Sequence, residues 1–338
     1  MDDEAGRPVQ APAPAGGAED ELAGPGGTHV SGTATAQADR EARPAPAAEP
    51  AAQREPAPAA RRPSSWARTQ RPVLRGVGLG LLLLAIFVLG FAGYLYGLSG
   101  VQESRSQAEL YTRLQGELAN EVAPLGPTAP GTPIAVLDVP SIGIHNMVVV
   151  EGTSAENLTL GPGHRRDSPF PGQAGLCQIY GRRATFGAPF ARLAQLRPGD
   201  IIRVITGQGE SLYAVAALGG SGKMIVDPAP NRLILLTASS PVVPAYYIYV
   251  DARLISTARP GRPPARVIST QELPMAGSRG ALVLTAVWAL ALALVAAGGT
   301  LAAIWWSPWA AYLAAVPLAI AVLWNLYQSL AVLLPNVF

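Results

Sequence analysis

The sequence predicts an all-β domain, a barrel or sandwich of many short strands, carried on three transmembrane α-helices. Three observations predict it. Between Ile134 and Ser256 lie short β-branched runs, among them IAVLDV, MVVV, GLCQIYG, DIIRVIT, LYAVAAL, RLILLT and YYIYVDARLI, parted by Gly, Pro and Asp at short intervals. That punctuation suits antiparallel strands and not an α/β fold. Outside this region lie three uncharged apolar runs, each longer than the ~20 residues that cross a bilayer. Hydrophobic residues make up 49% of the 338 and charged residues 14%, with a mean hydropathy of +0.24, an apolar balance for a soluble chain.

Taken in order, residues 1–72 are expected to form a disordered cytoplasmic tail. Ala, Pro, Gly, Glu and Gln dominate it, with APAPA and PAPAAEP runs, and so few large apolar side chains cannot offset the entropy of ordering the chain. Arg61, Arg62, Arg68, Arg71 and Arg75 precede the first apolar run and keep its N-terminal side in the cytoplasm. The run itself, 76–100, reads as an uncleaved anchor, since its core is too long for a signal peptide. Residues 101–133 begin polar and helix-compatible and end in PLGPTAPGTP, a stalk and linker. The β domain follows at 134–258, with AENLTL and FARLAQL as its helical turns. A Pro/Arg-rich linker, 259–279, leads to helices at 281–306 and 310–334. Only SPW divides these two helices, so they form a hairpin whose tip faces the cytoplasm and places PNVF outside. Trp305, Trp306 and Trp309 mark an interfacial belt. The expected location is therefore the plasma membrane, multi-pass, with the β domain extracytoplasmic.

Several function classes fall away. A net charge of +2, with no basic patch interleaved with aromatics, excludes nucleic acid as a partner. The single cysteine, Cys177, permits neither an intramolecular disulfide nor a Cys/His zinc cluster, and no metal or cofactor is expected. Cys177 sits in an apolar strand and reads as a small buried hydrophobe. The three apolar runs hold no acid, Lys or Arg, only the amides Asn325 and Gln328, which argues against an ion pathway. The small residues of AAGGTLAA, Ala296 to Ala303, suit close helix packing.

One stretch carries more. LDVPSIGIHNMVVVEGTSAENLTLGPGH, Leu137 to His164, continued by PGQAGLCQIYGRRATFGAPFARLAQLRPGDIIRVIT, resembles the sortase domain, especially its actinobacterial class D and class E type. The matching elements are the L-x-I-P-x-I-G strand, the GPGH loop, the A-G-H-R-x-T-F segment and the PF-x-x-L-x-x-L-x-x-GD run. The resemblance covers about Ile134 to Ile255. It implies a closed barrel of about eight strands with short helices, and a transpeptidase in which a Cys thiolate attacks, a His transfers protons and an Arg stabilises the oxyanion.

At those three positions this sequence departs from the pattern. Arg182 stands for the His, and a guanidinium cannot act as a base near neutral pH. Ser239, placed by Pro241 two residues on, stands for the Cys, and a serine needs an adjacent base to attack. Tyr247 stands for the Arg and brings no fixed positive charge to an oxyanion. No catalytic residue is therefore expected. Arg183, Thr185, Phe186, Thr237 and Pro241 are the candidate groove residues, and an exposed Arg182–Arg183 pair is expected to be solvated. His164 belongs to the GPGH loop and reads as loop architecture. The leading expectation is a pseudosortase that binds a sorting-signal-like peptide or an envelope protein. The alternatives are a serine-dependent transpeptidase or hydrolase using Ser239, with His164 or another residue as its base, and an assembly subunit of a membrane complex.

Overall fold

The computed structural model describes residues 65–220, 228–243, 245–305 and 307–338. Arg61, Arg62, Trp306 and the expected tail up to residue 64 lie outside them. Among the described residues eight strands close a barrel. They are β1 (Pro133–Val139), β2 (Ile144–Glu151), β3 (Gly163–His164), β4 (Leu176–Tyr180), β5 (Ile201–Thr206), β6 (Gly209–Gly220), β7 (Arg232–Ala238) and β8 (Tyr247–Leu254). Around the barrel they run β1-β2-β3-β4-β7-β8-β6-β5. Most neighbours are antiparallel, but β2 with β3 and β4 with β7 are parallel, which the sequence does not anticipate.

Side chains from all around the barrel fill its interior, including Leu137, Val149, Ile179, Val204, Leu235 and Val250. Cys177 lies among them, free and buried. β5 alternates as a strand with one wet face should, burying Ile202 and Val204 while Arg203 points out. The runs IAVLDV, MVVV and RLILLT do not alternate, because those strands are covered on their outer face as well. Over β1 and β2 lies a helix whose Leu114 is fully buried against Val136 and Val148. The expected helical turns are short 3-10 turns at Asn157–Thr159 and Leu193–Gln195.

That covering helix corrects the expected stalk. α1 (Ser65–Gly93) passes through a π-turn at Tyr94–Leu98 directly into α2 (Ser99–Ala119). The apolar helix thus starts before residue 76, taking in residues 65–72 that were assigned to the tail, and the polar segment is docked on the barrel. Gln107 holds it there. Its amide donates to the carbonyls of Val148 at 3.1 Å and Leu160 at 2.7 Å and accepts from the Val148 amide at 2.8 Å. The sequence reads as a stalk because α2 is polar on the whole; its apolar positions are few, and Leu110, Leu114 and Leu118 meet the barrel. The Pro/Arg-rich linker is docked too: Ala265 N–H bonds Arg166 O at 2.9 Å, and Arg166 pairs with Glu272 at 3.3 Å.

α3 (Ala281–Trp305) and α4 (Pro308–Leu333) form the hairpin. Three helices of the described residues are long and apolar enough to cross a membrane. α4 packs on α1 through Tyr327, whose hydroxyl donates to the Phe87 carbonyl at 3.0 Å, and Gln328 bonds Gln102 at 3.1 Å. Trp305 and Trp309 are exposed at the hairpin tip.

Candidate functional site

Strand register builds the site. β4 runs parallel to β7 with Tyr180 opposite Leu236, and β7 antiparallel to β8 with Ala238 opposite Tyr247. Arg182 lies two residues beyond β4, Ser239 one beyond β7, and Tyr247 opens β8, so the three positions come together at neighbouring strand ends. The corner is pinned by the Gly181 amide on Leu236 O at 2.9 Å, the Thr237 hydroxyl on Gly181 O at 2.8 Å and the Ser239 amide on Tyr246 O at 2.8 Å. Gly181 has to be glycine: any Cβ there would run into the buried ring of Phe190.

Arg182 is not the solvated strand-end residue the sequence suggests. It is fully buried. Nε donates to Leu158 O at 3.0 Å, Nη2 to Ala155 O at 2.8 Å and Nη1 to Thr185 Oγ1 at 3.2 Å, while the guanidinium carbon lies 4.7 Å from the centre of the Phe186 ring. Burial pushes its pKa down to about 9, so it remains a cation at neutral pH. Its donors tie the 155–158 backbone to the end of β4. A group so engaged is closed to a free anion and has no lone pair to take a proton.

Ser239 is half-buried, and its Oγ accepts from the Tyr246 amide at 3.4 Å. Among the described residues no imidazole or carboxylate hydrogen-bonds to it. His164 is held in the barrel wall, fully buried, with Nδ1 2.8 Å from Glu151 Oε2 and Nε2 3.0 Å from Pro169 O and 3.1 Å from Ser168 Oγ. Burial by itself would lower the His164 pKa; the neighbouring Cys177 and Glu151 outweigh it and hold the value up at about 10. Tyr247 packs half-buried on the outer face of the sheet beside Tyr180 and Tyr249. Arg165, which sequence reasoning passed over, donates to the Tyr180 hydroxyl at 3.1 Å while gripping Asp167 with two bonds of 2.5 and 2.8 Å. Among the described residues no three His, Cys, Asp or Glu side chains gather as metal ligands.

The candidate groove residues divide. Arg183 and Thr185 face one segment: the Arg183 amide donates to Val337 O at 3.1 Å and the Thr185 hydroxyl to Phe338 O at 2.8 Å. Pro241 is exposed, and its carbonyl accepts from Tyr96 at 3.1 Å. Thr237 is fully buried in the corner bond to Gly181. Phe186 turns away from the groove. Its φ of +50° aims the ring at Tyr94, Leu95 and Tyr327 of the apolar helices, and its amide donates to Ser99 Oγ at 2.9 Å. Such a left-handed non-glycine persists where its surroundings fix it.

Sequence reasoning missed the segment after α4. Val337 is fully buried among Leu158, Tyr180, Leu236, Ala238 and Tyr249 on the outer face of β4, β7 and β8. Asn336 and Phe338 are buried on either side. Nothing in PNVF announces this; Pro335 marks a helix stop, and the partners lie far away in the chain.

Comparison with known proteins agrees with this architecture. Residues 137–260 match the sortase domain family. Sortase D of Bacillus subtilis (strain 168) is 34% identical over 106 residues, covering 31% of this chain and 49% of that protein. Sortase SrtE1 of Streptomyces coelicolor is 26% identical over 215 residues, covering 57% of this chain and 61% of that protein. The chain thus spans about half to three-fifths of the length of these curated relatives. Among solved structures, a Clostridium perfringens sortase D5 transpeptidase aligns with 45% of this chain and 99% of its own at 20% identity and a TM-score of 0.38. Sortase E from Streptomyces avermitilis aligns with 38% of this chain and 91% of its own at 29% identity and a TM-score of 0.34. With its closed eight-stranded barrel and these sequence matches, the chain carries a sortase domain at residues 137–260.

Proposed function

We propose that the protein is a membrane-anchored, extracytoplasmic pseudosortase, a non-catalytic peptide-binding or scaffold protein of the cell envelope. The observation that carries this reading is Arg182. At the position of the family's proton-transferring His stands a buried guanidinium whose donors hold two carbonyls of the neighbouring loop, so the position serves architecture. Ser239 and Tyr247 support the same reading. Among the described residues the serine has an amide and no base at its Oγ, and the tyrosine, which brings no fixed charge, packs on the sheet. Three helices apolar enough to span a bilayer are the anchor.

The test is an assay of the purified full chain in detergent micelles for cleavage and transpeptidation of a sorting-signal peptide library, beside Ser239→Ala. Silence of the wild type is the expected result. Turnover by the wild type that Ser239→Ala abolishes would make this a serine-dependent enzyme and end the pseudoenzyme reading. A combined variant, Arg182→His with Ser239→Cys and Tyr247→Arg, asks in addition whether the corner accepts the family's catalytic set.

A further inference from the structure

We infer that the outer face of β4, β7 and β8 is a peptide-binding pocket, and that the turn at Pro335–Phe338 occupies it in cis, so that a peptide from another molecule enters only when this turn withdraws. The inference rests on the peptide-binding reading above and names that site's resident occupant.

Three features make the contact resemble peptide recognition and not incidental packing. Main-chain groups are read: Val337 O accepts from the Arg183 amide and Phe338 O from the Thr185 hydroxyl. One side chain fills an apolar pocket, Val337 among Leu158, Tyr180 and Leu236. The preceding side chain is recognised by polar groups, the Asn336 amide donating to Thr153 O at 2.7 Å and Leu273 O at 3.0 Å. The segment is held as a turn, the Phe338 amide donating to Pro335 O at 3.0 Å, and it presents one apolar side chain and its main-chain carbonyls to the sheet face. The segment also lies beside the strand ends that carry Arg182, Ser239 and Tyr247, and Thr185 touches both Arg182 and Phe338.

The fit has a flaw that suits a displaceable occupant. Asn336 Oδ1 is buried with no hydrogen-bond partner, and a buried unpaired acceptor costs desolvation that a better matched ligand avoids. The ligand class follows from the pocket: a peptide turn with a branched aliphatic residue for the Val337 site, flanked by an aromatic residue and preceded by a small amide or other donor.

The experiment uses the full chain in micelles and a fluorescent, amidated Leu-Leu-Pro-Asn-Val-Phe peptide as the probe. Val337→Asp puts a charge where the pocket is apolar and should free the segment; Asn336→Ala is a milder second variant. Release is checked by amide hydrogen exchange, in which the Arg183 N–H should lose protection at least tenfold while the barrel amides keep theirs. The expected result is at least tenfold tighter probe binding by either variant than by the wild type. Equal binding by wild type and variants would overturn the cis-occupant inference while leaving a peptide-binding groove. No binding by variants whose Arg183 amide has become exchangeable would overturn both the inference and the peptide-binding reading. An Arg183 amide that exchanges freely in the wild type would show that the segment does not hold the groove, and would overturn the inference alone.

Discussion

The Nε of Arg182 donates to the carbonyl of Leu158 at 3.0 Å, joining the end of β4 to a 3-10 turn twenty-four residues earlier in a contact with no solvent access. With the bonds to Ala155 and Thr185, this fixes a buried cation at the end of β4.

Arg182→Ala should destabilise the barrel by about 2–4 kcal/mol, because it strands two buried carbonyls as well as removing their donor. Urea unfolding followed by the near-ultraviolet circular dichroism of the barrel tyrosines measures it, since all six tryptophans lie outside residues 134–258. A loss under 0.5 kcal/mol would mean that the tie is dispensable and that burial of this arginine has another reason.

The His164–Glu151 pair predicts a pH-dependent stability with a definite sign. His164 is held at about 10 in the folded protein, against about 6.5 unfolded. The folded state therefore binds more protons between those values, and the contribution of His164 with its neighbours Cys177 and Glu151 is complete below about pH 6.5 and is lost as pH rises through about 10. The melting temperature of the wild type should fall from pH 7 to 10 relative to Glu151→Gln, which should itself be about 3 kcal/mol less stable at pH 6. Parallel pH profiles for the two proteins would refute the coupling.

Gly181→Ala should cost about 1–3 kcal/mol, the range for forcing extra atoms into a packed site, since the new methyl group meets the Phe190 ring. The variant's hydrogen exchange should rise first at the Gly181 amide and at the ends of β4 and β7. Wild-type stability would imply that Phe190 moves aside freely.

For topology, single cysteines in a Cys177→Ala background report on sides. Ala194→Cys on the exposed barrel surface should react with an impermeant maleimide added to intact cells, and Ser307→Cys at the hairpin tip only after permeabilisation. The reverse pattern would invert the proposed orientation.

Much of the barrel is legible in the sequence because strand-forming runs and their Gly/Pro breaks are local signals. β3 escapes, being two residues long. That Arg182, Ser239 and Tyr247 sit at strand ends is legible because strand motifs fix their places in the chain, but their surroundings are not. Arg182 looks like a surface residue until the 155–158 carbonyls are known to face it, and Thr185 meets Phe338 across 153 positions of sequence. The continuous α1–α2 run was obscured by composition: polarity rises at Val101 while the helix goes on, and only docking on the barrel explains the apolar face at Leu110, Leu114 and Leu118.

α4 ends at Leu333, four positions before Val337, and four residues reach about 14 Å at full extension. The pocket is thus leashed to the end of an apolar helix by a very short tether. With α4 embedded as proposed, the pocket hovers just above the lipid headgroups, and a rival ligand must reach that height. The stretch next to a bilayer on a neighbouring anchored protein satisfies this, whereas a motif displayed far out in the wall does not. Altitude above the bilayer therefore becomes a selection rule in its own right.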